Sequence, residues 1–268
     1  MPMNDDIPAP VLRSEASECV TLGGCQVVRP VQFVPHVLAF TTCRGSAESD
    51  DPCAGFNLAF HVGDKRSSVI RNRQTLTQLC GDYAPKGWLE QVHGCQVVNA
   101  DEMTDGCIAD ALWSEQPNSP CVVLTADCLP IVLAARNRPL VAVLHAGWRG
   151  LAADIIGETL STLPVGPGEL QAWLGPAIGP DAFEIGPEVR ATFMNAWGDG
   201  VAPCFTPGQG DRYHGDLWQL ATWRLAQLGV PSIQGGGWCT YSAPQQFYSY
   251  RRDGVTGRMA TVAMVRSS

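Results

Sequence analysis

At 268 residues, with 45% hydrophobic and 16% charged side chains, the chain can bury a substantial core and is too apolar to stay disordered. Its formal charge of −8, with no run of Lys or Arg longer than two residues, argues against non-specific binding to nucleic acid polymers or anionic membranes, which relies on clustered cations. No stretch approaches the ~18 uninterrupted apolar residues of a membrane span, and the acidic, Pro-rich start MPMNDDIPAP has no signal-peptide pattern, so the expectation is a soluble, cytoplasmic protein.

In chain order, residues 1–17 read as a mobile tail and 18–268 as a single catalytic domain. Short apolar runs punctuated by Gly-Gly and Pro between Cys19 and Phe40 suit strands. The acidic, turn-rich stretch from Gly45 to Gly55 is a surface loop. A helix is predicted from about Ser67, its cap, to Leu79, with Val69, Ile70, Leu76 and Leu79 on one face. Trp88–Val92 reads as a strand ending at His93-Gly94, with Gln96–Asn99 as its partner. Val122–Thr125 and Leu140–Leu144 read as adjacent central strands, each ending in polar chemistry: Asp127-Cys128 after the first, His145-Ala146-Gly147-Trp148-Arg149-Gly150 after the second. Helices are expected over Leu151–Leu163, Pro187–Trp197 and Asp216–Leu228, the last with an Asp cap and a Gly stop. Strands are expected at Leu170–Leu174, at the aromatic segment Phe247–Tyr250 and around Met259–Val265. Helices and strands are interspersed without regular βα alternation, which favours an α+β fold with mixed β-sheets.

The 11 cysteines are odd in number, lack tandem CxxC pairs and accompany no secretion signal, so they read as reduced, mostly buried small hydrophobes. Cys128 differs because it stands just beyond a strand. Of five histidines, His36 and His214 carry no signal for chemistry and His61 reads as a hydrogen-bonded structural residue. His93 and His145 each end an apolar run close to a glycine, where backbones open onto pockets. His93, Cys128 and His145 form a His₂Cys set suited to a catalytic zinc with an open fourth position. Cys128 and His145 alone also make a thiol–imidazole dyad, with Thr125 or Asp127 to orient the imidazole, so a metal-independent cysteine hydrolase stays open. Five histidines without an HxH pair are too few for a multicopper oxidase, although a His₂Cys site can take up Cu2+ in vitro. Arg149, ahead of a helix, is the candidate anion anchor, followed by Arg251 and Arg252. Trp148, Phe183 and Tyr250 are candidates for stacking on a planar base.

Six blocks carry a resemblance: NLAFHVGD (57–64), LEQVHG (89–94), TADCLPIV (125–132), LHAGWRG (144–150), GPAIGPDAFEIG (175–186) and CTYSAPQQFYSYRRDGVTGRMA (239–260). In content and order they resemble the YfiH family, also called the laccase-domain or polyphenol-oxidase family, whose members are regarded as purine nucleoside phosphorylases. The resemblance implies an αββα-type sandwich and a zinc triad at His93, Cys128 and His145. It also implies phosphorolysis of adenosine, inosine or methylthioadenosine by inorganic phosphate, with adenosine deaminase side activity. Asn57, in the first block, and Arg44, near Thr41-Thr42, become further substrate- or phosphate-binding candidates. Other readings are a Cys128–His145 amidase acting in peptidoglycan editing, a copper polyphenol oxidase, and a nucleoside-binding module without turnover. A monomer or small homo-oligomer is expected.

Overall fold

The computed structural model describes residues 16–267 except 46, 87 and 105. Strands β1 (Ser17–Leu22), β2 (Cys25–Pro30) and β3 (Val37–Thr42) precede helix α1 (Arg66–Leu79). Then come β4 (Val97–Asn99), β5 (Ala111–Ser114), β6 (Cys121–Thr125), β7 (Leu129–Ala135) and β8 (Val141–Ala146). Helices α2 (Trp148–Ala152) and α3 (Ile155–Thr162), strands β9 (Leu170–Leu174) and β10 (Glu184–Ile185), and helix α4 (Pro187–Trp197) follow. Next are β11 (Phe205–Pro207), β12 (Tyr213–Gly215), α5 (Leu217–Gln227), β13 (Ser232–Gly235), the short α6 (Tyr250–Asp253) and β14 (Met259–Val265).

Two large sheets dominate. One is antiparallel in the order β1-β2-β3-β14-β6; the other is mixed, β13-β9-β7-β8-β5-β4, with parallel pairs at its two ends. A small β10-β12-β11 sheet lies apart from both. Side chains alternate across each strand, and the alternation sorts the core into three layers. Val122, Ala260 and Val262 face Leu76 and Leu79 of α1. Cys121, Val123 and Ala263 of one sheet meet Val132, Val143 and Trp173 of the other. Ile131, Leu133 and Leu144 pack under Leu151, Ile155, Leu220 and Leu225 of the helices beyond. The layering is helix, sheet, sheet, helix: the α+β class expected from the sequence and the αββα-type sandwich that the resemblance implied, with one of the two large sheets mixed and the other antiparallel.

Several local expectations change. The runs at 122–125 and 140–144 are not paired strands: β6 belongs to the antiparallel sheet, whereas β8 pairs with β7 in the mixed one. Between β6 and β7 the chain crosses from one sheet to the other in three residues. Trp88–Val92 makes only an isolated bridge, Glu90 to Ile108, because Gln91 spends its amide on both backbone groups of Leu124 at the sheet edge. Phe247–Tyr250 is no strand either; Ser249 caps α6 by accepting from the Arg252 N–H. The helix expected at 151–163 is two. Asp154 interrupts it in the left-handed region (φ 70°), caps α3 by accepting from Gly157 N–H, and pairs with Arg224 of α5. Helix α1 begins after Lys65 without a side-chain cap, so Ser67 lies inside it, and Ile70 turns outward. Asp216 caps α5 as expected. Of the expected tail, residue 17 instead opens β1, where the Ser17 hydroxyl accepts from the Trp173 indole; the rest to residue 15 lies outside the described residues.

Candidate active site

The crossing between the sheets creates the site. Val141 and Val143 of β8 face the gap between the sheets, so His145, two residues further on, projects from the same face at the strand's end. Its register partner on β7 is Pro130, and Cys128 stands two residues earlier, in the crossing itself. Asp127 takes a left-handed backbone (φ 93°) there, a conformation rarely adopted by a residue with a Cβ. Its carboxylate accepts from the Thr240 hydroxyl (2.6 Å), the Ser249 hydroxyl (3.0 Å) and the Arg251 N–H (2.7 Å), which holds the turn open. Asp127 therefore does not orient the imidazole, and neither does Thr125.

Asp110, which no motif marked, does so. Fully buried ahead of β5, it accepts from His145 Nδ1 at 2.8 Å, leaving Nε2 to face the thiol. It also accepts from the backbone N–H groups of His93 (3.0 Å), Gly94 (2.7 Å) and Val92 (3.3 Å). One carboxylate thus fixes a histidine ring and the loop that carries the other histidine, itself in the left-handed region at φ 61°. His93 Nε2 lies 3.7 Å from Cys128 Sγ, and the two imidazoles meet edge to face at 4.7 Å between centroids. One donor atom from each of His93, Cys128 and His145 falls within 4.8 Å of the others.

Gly147 forms the wall behind them. A Cβ there would stand 2.8 Å from His93 Cδ2 and 3.0 Å from Cys128 Sγ, closer than packed atoms tolerate. Burial alone would push the Cys128 thiol up, but His145 and His93 outweigh it and bring it down to about 6. Burial would likewise lower His145, yet the Cys128 thiolate and Asp110 raise it to about 9. Asp110 is itself held below the usual carboxylate range: its hydrogen bonds from His145 and the loop N–H groups exceed the burial that opposes them. A ready thiolate, two imidazoles and a carboxylate behind one of them make a donor set that fits a divalent metal such as zinc.

The triad opens into a cavity of about 780 Å³, whose walls also include Thr125, Trp148, Arg149, Phe183, Tyr250, Arg251 and Arg258. Arg149 stacks over Trp148 at 4.4 Å. Arg251 sits over Phe183 at 5.5 Å and donates to the Glu184 carbonyl at 2.9 Å. Arg252 faces elsewhere, clamping the carbonyls of Thr240, Tyr241 and Phe247 beside Asp253. Two expected binding residues are not in the lining. Arg44 donates to the Ala54 carbonyl and lies over Tyr248, and Asn57 is buried, bonded to Ala59, Asp64 and the Arg258 N–H. Both shape the loop through residues 44–64 rather than touch the cavity. Sequence reasoning missed Asp110, Gly147 and Arg258. Only a lone Asp before a short apolar run and a Gly-Arg pair opening the last strand hinted at two of them.

Residues 38–266 match the family model described as multi-copper polyphenol oxidoreductase laccase. The chain is 43% identical to the purine nucleoside phosphorylase of Pseudomonas aeruginosa over 234 residues, covering 86% of this chain and 94% of that one. It is 44% identical to the purine nucleoside phosphorylase YfiH of Escherichia coli over 226 residues, covering 84% and 92%. A solved structure from Neisseria meningitidis superposes with a TM-score of 0.84 at 35% identity, covering 94% of this chain and all of that one.

Proposed function

The chain belongs to the YfiH family, the one described as multi-copper polyphenol oxidoreductase laccase, and from that membership we propose that it is a zinc-dependent purine nucleoside phosphorylase. The observation that carries the reading is the His93–Cys128–His145 cluster opening on a cavity with both aromatic and cationic walls, in a chain whose relatives bear that name. The cavity can take a nucleoside, its purine against Trp148, Phe183 or Tyr250 and its anionic co-substrate near the arginines. A phosphate oxygen bonds to C1′ of the ribose as the C1′–N bond breaks. The bonding pair leaves on the purine nitrogen, and the proton of hydrogen phosphate ends there, giving free base and ribose 1-phosphate.

The protein's own part is to orient and to place charge. Asp110 locks His145 so that Nε2 points at the cluster, the depressed Cys128 thiol supplies a thiolate at neutral pH, and Gly147 leaves the donors room. Zinc, when bound by these three side chains, supplies Lewis acidity at the open side of the set. The same cavity accommodates deamination of adenosine at C6 as a side activity. One thiolate with two imidazoles is a zinc-type open set, whereas the family description names copper; metal analysis of the purified protein discriminates between them.

Metal-quantified protein incubated with adenosine and phosphate should release adenine and ribose 1-phosphate only when phosphate is present, and Cys128→Ala should lose the activity. Absence of phosphate-dependent base release by the wild type would overturn the reading. One observation favours a second reading, the low thiol pKa beside His145, which is also what a cysteine hydrolase needs. Chelator-resistant amide hydrolysis abolished by thiol alkylation would establish that one instead.

A further inference from the structure

Arg258 is a cation in the cavity wall that makes no ion pair among the described residues. It immediately precedes β14, partly buried, and one of its terminal nitrogens donates to the Thr256 and Gly257 carbonyls at 2.8 and 3.0 Å. Among the described residues no carboxylate stands within ion-pairing distance of it, unlike Arg252 with Asp253 or Arg224 with Asp154. Burial pulls its pKa down from the ordinary arginine value, against the opposing pull of Cys128, Cys53, Asp127 and Tyr250. Its guanidinium also lies over the Tyr250 ring at 5.9 Å, which supplies no counter-anion, and a partly desolvated cation gains most from a ligand that brings one.

Its position is built rather than incidental. Asn57 is completely buried and its Oδ1 accepts from the Arg258 N–H at 2.9 Å, while the Leu58 N–H donates to the Arg258 carbonyl at 3.3 Å. Gly257 passes so close to Tyr248 that a Cβ there would lie 2.6 Å from the ring. A second group waits on the neighbouring strand. Thr125 opposes Met259 in the β6–β14 register, one step from Arg258, and also lines the cavity. Thr125 is 1% exposed and its buried hydroxyl has no hydrogen-bond partner, which is unusual for a buried polar atom.

We propose that Arg258 and the Thr125 hydroxyl form the oxyanion subsite of the cavity, which holds inorganic phosphate for transfer to the nucleoside. This rests on the phosphorolysis reading and moves the anion anchor from Arg149 to the end of β14, next to the strand that carries the unpaired Thr125 hydroxyl. Asn57 acts as a positioning residue through the Arg258 backbone, which explains how a residue outside the cavity lining serves the site.

Two measurements on zinc-loaded protein test it. The first is equilibrium binding of inorganic phosphate alone, which needs no turnover. Arg258→Gln should weaken it about tenfold to a hundredfold, the loss of a charge-assisted pair, and Thr125→Val by about three- to tenfold. Arg258→Lys keeps the charge and should fall between Arg258→Gln and wild type, and unchanged zinc content certifies that each variant is folded. The second is steady-state phosphorolysis, in which both removals should raise the KM for phosphate and leave the KM for the nucleoside within about twofold. Phosphate binding that is lost in Arg258→Gln while the wild type releases no base would sustain the subsite and sink phosphorolysis. Wild-type phosphorolysis with folded Arg258→Gln and Thr125→Val both unchanged in phosphate affinity and KM would sink the subsite and leave the activity standing.

Discussion

Asp110 and Gly147 are the residues on which the triad depends without belonging to it. Removing the charge of Asp110 leaves its shape, so Asp110→Asn should keep the fold while zinc affinity falls about 10–100-fold, measured by competition with a chromophoric chelator. Gly147→Ala must push His93 or Cys128 aside, and should cost the site its metal with a loss of stability of about 1–3 kcal/mol, read as zinc stoichiometry and a melting curve. The thiolate makes a third prediction. Cys128 is drawn from an ordinary value of 9.0 to about 6, so its contribution to stability is fully present above 9 and lost as pH falls through 6. His145 is raised from 6.5 to about 9, so its contribution is complete below 6.5 and lost as pH rises through 9. The charged pair in metal-free protein therefore occupies the window between about 6 and 9. Burial moves Cys43, Cys80, Cys95, Cys121 and Cys204 the opposite way. Iodoacetamide at neutral pH should label Cys128 ahead of those five, with a half-rise near pH 6, and zinc should protect it; peptide mapping checks both. The triad itself was legible because its three residues stand beside apolar runs and glycines. Asp110 was not, since a lone Asp before a strand looks like any turn residue until the histidine facing it is known.

At the scale of elements, the two segments that stop being regular are the informative ones. The crossing at 126–128 takes the chain from β6 into the other sheet, so Cys128 reaches the mouth of the intersheet gap, where an uninterrupted hairpin would have kept it in one sheet. Asp154 splits α2 from α3 and ties the break to α5 through Arg224. Asp154→Ala removes a cap, a left-handed-tolerant residue and an ion pair together, and should lower stability by about 1–2 kcal/mol in denaturant titration with zinc affinity unchanged. Sequence pattern placed α4, α5, β9 and β14 well because the helices carry an apolar stripe and the two strands are short apolar runs buried almost throughout. It misplaced Trp88–Val92 and Phe247–Tyr250. Aromatic and β-branched residues there pack or line the cavity from irregular backbone, held by Gln91 in one case and by the Asp127–Ser249 bond in the other.

Across the whole molecule, the two sheets and their helices bury a core in three layers, and the site sits where the middle layer ends. Its three candidate ligands come from three separate segments, so a metal bound by the triad would link them. Chelation should lower the melting temperature, and the zinc-dependent increment should vanish in Cys128→Ala, followed by calorimetry with and without chelator. No helix among the described residues is long and apolar enough to cross a membrane. Composition, strand-like runs and six short blocks were enough to place the chain in its family and its fold class, because hydrophobic patterning and glycine placement are local properties that any reader of the chain can see. Which strands become neighbours, which carboxylate turns His145, and which cavity arginine lacks a carboxylate partner among the described residues were invisible there. Each depends on groups brought together across tens to hundreds of residues, Asp110 with His145 and Asn57 with Arg258, and no local pattern encodes a contact between them.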